Sequence, residues 1–147
     1  FPDSIRATDE HGGSPLHYAC QNPNVTPEII QLLVDAAPNS ASHADNNGSM
    51  PLHSLSNYVL DETKAIKILK LLIEKQPEAV RHANNNGDLP VHIAGGWGRR
   101  STEFCRLLIE AYPGSERRTD ANGNLPIHFA CADNTVATVE YLYKLSP

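Results

Sequence analysis

Apolar residues fall in four dense clusters separated by polar stretches. The clusters are Ile29, Ile30, Leu32, Leu33, Val34; Ile66, Ile68, Leu69, Leu71, Leu72, Ile73; Phe104, Cys105, Leu107, Leu108, Ile109; and Val136, Val139, Tyr141, Leu142, Tyr143, Leu145. The spacing is helical, and each stripe is too wide for a helix with one face in water. It predicts helices pressed between neighbours on both sides. Thr26-Pro-Glu, Asp61-Glu-Thr-Lys, Ser101-Thr-Glu and Asn134-Thr135 precede the clusters and read as capped helix entries. Pro38, Pro77, Pro113 and Pro147 follow them by a few residues and predict where each helix stops.

The polar stretches carry a second pattern. Asp9–Cys20, Asp45–Ser56, Asn84–Gly95 and Asp120–Cys131 are four copies of one twelve-residue motif, with Gly at its fourth place, Pro at its seventh and His at its ninth. The histidines His17, His53, His92 and His128 are separated by 36, 39 and 36 residues, a period that marks a repeat architecture. Asp-Asn-Asn-Gly48 and Asp-Ala-Asn-Gly123 are turn sequences, since Asn and Gly tolerate the positive φ of a tight hairpin. Pro15, Pro51, Pro90 and Pro126 then suit the first position of a short helix. Each unit is therefore a hairpin-like turn, a short helix, a loop and a longer helix. The three extra residues of the second unit fall between its helices, around Asn57–Asp61.

This motif resembles the ankyrin repeat, D-x-x-G-x-T-P-L-H-x-A followed by a helix with paired leucines, in a divergent, LPLH-type form. The resemblance covers essentially the whole chain. Three departures stand out. The Thr before Pro survives only as Ser14, so the capping hydroxyl is missing where Met50, Leu89 and Leu125 replace it. Pro38, Pro77 and Pro113 stand where the family has a Gly after the second helix. Asn84 replaces the first Asp. The resemblance implies an all-α solenoid of four stacked helix-turn-helix repeats with short β-hairpin turns. The expected units are about 9–44, 45–83, 84–119 and 120–147, with 1–8 as the end of a preceding unit. The only methionine is Met50, and Phe1–Asp9 matches Tyr112–Asp120 in phase, so a segment of a longer array with further repeats on both sides is expected. Members of the family bind other proteins on the concave face made by turns and short helices. Carried onto this chain, that face comprises His11, Gln21, Asn22, Asn46, Asn47, Tyr58, Asn85, Asn86, Asp88, Trp97, Asn122, Asn124 and Asp133, with Ser49 and Asn57 at matching places. Trp97 is either an interface anchor beside Tyr58 or folds over its own glycine loop.

Composition narrows the function classes. The chain has 147 residues, 40% hydrophobic and 20% charged, enough for one ordered domain. A net charge of −5 argues against a nucleic-acid binder, and no apolar run is long enough to span a bilayer. Three cysteines, Cys20, Cys105 and Cys131, suggest reduced thiols in an intracellular, cytoplasmic setting. Cys20 and Cys131 share a phase on the short helix that faces the core. In a regular stack the four motif histidines form a row about 10 Å apart. Zinc needs its ligands about 2 Å from one point. They therefore read as hydrogen bonds linking turns, with no metal and no cofactor. His11, His43 and His82 read as surface histidines. Arg99, Arg100, Arg106, Arg117 and Arg118 make the third unit the most basic, as a solvated edge or a docking site for an acidic partner. No catalytic constellation or phosphate loop is present, so the expectation is a non-enzymatic protein-interaction or scaffold module. The alternative is an internal structural spacer of a larger protein, suggested by the apolar outer face of the last helix and the absence of polar capping units.

Overall fold

The computed structural model describes residues 2–57, 61–96 and 100–145. Nine α-helices occur among them: α1 (Pro2–Arg6), α2 (Pro15–Gln21), α3 (Pro27–Ala36), α4 (Pro51–Asn57), α5 (Glu62–Lys75), α6 (Pro90–Gly95), α7 (Thr102–Ala111), α8 (Pro126–Asp133) and α9 (Val136–Leu145). Single 3-10 turns follow three of the long helices, at Pro38–Ser42, Pro77–Arg81 and Ser115–Arg117. Pro38 and Pro77 thus do more than stop a helix; each opens the next turn, where a missing N–H costs nothing. α1 lies in the same phase of the repeat as these 3-10 turns.

The capped entries form as expected. Thr26 Oγ1 accepts from the Ile29 N–H at 3.4 Å, Asp61 Oδ1 from Lys64 at 3.1 Å and Ser101 Oγ from Phe104 at 3.1 Å. Thr135 Oγ1 accepts from Thr138 at 3.4 Å, while the Asn134 amide donates backward to the Gly95 carbonyl at 2.8 Å. The short helices are different. Only α2 has a hydroxyl cap, Ser14. At the other three, Met50, Leu89 and Leu125 have no side-chain acceptor; in all four copies the backbone N–H of the residue before the proline is taken by Nδ1 of the motif histidine, at 3.1, 3.1, 3.0 and 2.8 Å.

The helices build two layers. The short helices α2, α4, α6 and α8 pack side by side, the long helices α3, α5, α7 and α9 do the same, and each short helix packs on the long helix that follows it. The core lies between the layers, with Leu16, Leu52, Ile68, Leu69, Phe104 and Leu108 almost wholly buried. α5 buries Ala65, Ile68, Leu69 and Leu72, and α7 buries Phe104, Cys105, Leu108 and Ile109, as helices sandwiched on both sides should. α3 and α9, at the two ends of the row, keep Leu32, Val136 and Tyr143 exposed. Cys20 and Cys105 are buried, and burial pushes both thiols up to about 12. Cys131 is exposed, against the expectation of a core position: α2 packs against a following short helix, α4, whereas among the described residues no short helix packs beyond α8.

Candidate partner-binding face

The turns are built by one repeated device. The first motif residue accepts two backbone N–H groups on one side-chain oxygen. Asp9 takes His11 and Gly13 at 3.0 and 2.8 Å, and Asp45 takes Asn47 and Ser49 at 2.8 and 2.9 Å. Asn84 takes Asn86 and Asp88 at 2.9 and 3.0 Å, and Asp120 takes Asn122 and Asn124 at 2.9 and 2.8 Å. An Asn oxygen does this as well as a carboxylate, which is why Asn84 is tolerated. The glycine at the fourth place sits at positive φ in all four copies, 75° at Gly48. A Cβ on Gly48 would stand 2.5 Å from Asn85 Oδ1, so the next turn also seats directly on this glycine.

Successive turns are stitched together. Asn46, Asn85 and Ala121 each donate a backbone N–H to the turn before, onto the carbonyls of His11, Asn47 and Asn86 at 2.9, 2.9 and 3.0 Å. The amides of Asn46 and Asn85 donate along the same line, to the Glu10 and Asn46 carbonyls at 3.0 and 3.1 Å. These bonds are one per junction rather than a ladder, so the hairpin-like turns carry no β-strand among the described residues.

The motif histidines complete the stitching. With Nδ1 accepting a backbone N–H, the proton must lie on Nε2, and Nε2 donates to a carbonyl in or just before the next turn. His17 reaches the Ser49 carbonyl at 2.8 Å, His53 the Asp88 carbonyl at 3.1 Å and His92 the Arg118 carbonyl at 2.9 Å. Burial lowers the pKa of all three, that of His53 to about 4. His43 and His82, expected at the surface, are half-buried: their Nε2 atoms donate backward to the Gly12 and Gly48 carbonyls, and their rings meet His17 and His53 edge-on at 5.9 Å. Among the described residues no three His, Cys, Asp or Glu side chains gather around a point that could hold a metal.

The expected face separates into three groups. His11, Asn47, Asn86 and Asn122, one per turn, are exposed; His11 lies 3.5 Å from Glu10. Asn46 and Asn85 are exposed too, but their amides are committed to the neighbouring turn. Asn22 is exposed beyond α2, Gln21 is half-buried with its amide on Ser54 Oγ at 3.4 Å, Asn124 donates to Asp120 Oδ2 at 3.2 Å, and Asp133 is half-buried. Asp88 does not belong to the surface. It is 2% exposed, its Oδ1 has no hydrogen-bond partner, and burial with the nearby Asp120 charge pushes its pKa up to about 6. Tyr58 and Trp97 lie outside the described residues.

Between the turns and the short helices of the first three units is a cavity of about 400 Å³. Gln21, Asn47, Asn85 and Asn86 of the expected set line it. So do Asp45, Ser54 and Ile93, which motif reasoning passed over. Ser54 and Ile93 occupy the tenth motif place, shared with Tyr18 and Phe129; the period that located the histidines also points to the residue beside them.

Among the described residues, each basic side chain of the third unit meets a partner within the chain. Arg100 is 3% exposed, donates Nη2 to the Leu55 carbonyl at 2.9 Å and covers the Phe104 ring. Arg106 bridges Glu103 and Glu110, Arg117 lies 3.8 Å from Glu116, and Arg118 with Arg81 brackets the Tyr112 ring. Arg99 lies outside the described residues.

A two-layer helical solenoid with one turn-lined face is the class of protein these features define. A family profile described as "Ankyrin repeats (3 copies)" matches residues 55–146, and one described as "Ankyrin repeat" matches residues 11–43. The chain belongs to the ankyrin-repeat family, whose repeats are in general protein–protein interaction modules. No curated protein matches the chain. No helix among the described residues is long and apolar enough to cross a membrane.

Proposed function

We propose that this chain binds a protein partner through the face formed by its turns and short helices, and that it acts by binding rather than by catalysis. The observation that carries this reading is the row of exposed third-place residues, His11, Asn47, Asn86 and Asn122, running beside a hydrogen-bonding cavity. The rest of each turn is committed to the stack, so these side chains are held on a rigid base, and a rigid base lowers the entropy lost on binding. Free, buried thiols at Cys20 and Cys105 fit a reducing, intracellular compartment. Asn47→Ala with Asn86→Ala should abolish retention of a partner that the wild type and a Lys70→Ala control both hold, with the circular dichroism spectrum unchanged. Retention unaffected by the double change would sink this face as the site.

A second reading, an internal spacer within a longer repeat array, is supported by the exposed Ile29 and Leu32 at one end and Val136 and Tyr143 at the other. In it, further repeats cover both ends. A chain that stays monomeric and soluble at high concentration would count against it.

A further inference from the structure

The charges of this chain are sorted by face. The four motif copies with the short-helix residues after them (9–22, 45–57, 84–96 and 120–133) hold six acidic residues and none of the twelve lysines and arginines. The rest of the chain holds all twelve bases against the remaining eleven acids and is close to neutral. The net charge of −5 therefore resides in the four motif segments, five of whose six acids lie outside the core.

Among the three aspartates at the first motif place, Asp9, Asp45 and Asp120, one is unfinished. In the first copy the Tyr18 hydroxyl donates to Asp9 Oδ2, and this bond, with the Gly13 N–H, holds the Asp9 carboxyl below its usual range. In the fourth copy the Asn124 amide donates to Asp120 Oδ2. In the second copy Asp45 Oδ1 is occupied by two backbone N–H groups, and no described residue donates to Oδ2. Ser54, which stands at Tyr18's place, is too short to reach across and is engaged by Gln21. Ser49, at Asn124's place, makes no side-chain bond to Asp45 either. This open carboxylate lines the 400 Å³ cavity, whose other walls are carboxamides, hydroxyls, the His53 ring and Ile93, with no lysine or arginine among them.

We propose that Asp45 anchors a cationic side chain, an arginine, from a basic, extended segment of the partner protein; the proposal rests on the turn face being the binding face. The Asp45 carboxylate with carboxamides and hydroxyls beside it offers acceptors in several directions, and a guanidinium supplies five N–H donors in one plane to meet them. The two filled copies show that a donor belongs on Oδ2. Among the described residues no lysine or arginine lines the cavity, which leaves the positive charge to come from outside.

The test uses the 15N-labelled full chain and three seven-residue peptides, Gly-Ser-Gly-X-Gly-Ser-Gly, with X arginine, citrulline or tyrosine. The arginine peptide should shift the amides of Asn47, Ser49, Ser54 and Asn85 and weaken markedly between about 20 and about 200 mM salt. Asp45→Asn should weaken it about tenfold or more, the size expected for losing a charged hydrogen-bond partner. Folding is protected by precedent, because Asn84 already does the same backbone work in the third copy. Asp35→Asn on α3 should change nothing. Equal binding of the citrulline or tyrosine peptide at the same amides, no effect of Asp45→Asn, or no shift with the arginine peptide would overturn the cationic anchor and leave the turn face standing. Shifts confined to the long helices would overturn both.

Discussion

The middle two units and the end two share a motif but not an environment. α5 and α7 are covered on both sides and bury four residues each in register. α3 buries only Ile30 and Val34, and α9 only Thr138 and Leu142. In the turns the difference falls on the last unit alone: His17 and His53 are 2% exposed and bonded at both nitrogens, whereas His128 keeps its Nδ1 bond but is exposed. The motif specifies a unit that can be bonded on two sides; whether it is depends on the neighbour. Stability in such a stack is mostly a property of interfaces between units.

The largest expected break in this comparison is in the core. Phe104→Ala, at a fully buried site, should cost about 3–5 kcal/mol by cavity formation, while Leu32→Ala, 67% exposed, should stay within about 0.5 kcal/mol. Urea denaturation of the two variants measures it; equal costs would mean that the stack does not unfold as one unit.

Next are the histidines. His53→Ala leaves the Met50 N–H and the Asp88 carbonyl without partners and should cost about 2–3 kcal/mol, against less than about 1 for His128→Ala. Acid acts on the same bonds. The folded-state pKa of His53 is depressed from 6.5 to about 4, so the unfolded chain binds more protons between those values and stability falls as pH drops through that window. His17 and His92, also lowered by burial, add to the fall. Melting temperature against pH should show this loss, and His53→Gln should blunt it.

Asp88 opposes it. Its folded pKa is raised from 3.8 to about 6, so here the folded chain binds more protons between those values and stability falls as pH rises through them. Asp88→Asn should stabilise the chain by about 1–2 kcal/mol above pH 6, the rest of the linkage being offset by the buried amide, with the gain vanishing below about pH 4. A gain that persists at low pH would contradict a buried carboxylate as its source.

The smallest effect compares two glycines. Gly48→Ala and Gly123→Ala share a positive φ, which costs about 1 kcal/mol for a residue with a Cβ. Only Gly48 adds a clash, with Asn85; a Cβ on Gly123 meets nothing within 4 Å. Equal destabilisation by the two would show that turn-on-turn seating contributes nothing.

The sequence by itself determined the units. The period of the glycines, prolines and histidines, the helix caps and the apolar stripes are local, because capping, proline geometry and positive φ act within a few residues. They sufficed for the fold class and for the strip of turns where the candidate face lies. Tertiary structure decided which side chains on that strip are available. Sequence makes the neighbouring Asn46 and Asn47, or the phase-matched Ser49 and Asp88, look equivalent, yet one amide is tied to the preceding turn and one carboxyl is buried. It likewise buried Arg100, half-buried His43 and His82, and exposed Cys131. The bonds behind them join Asn46 to Glu10, Arg100 to Leu55, His43 to Gly12 and His82 to Gly48, partners far apart in the chain that no window of local sequence contains.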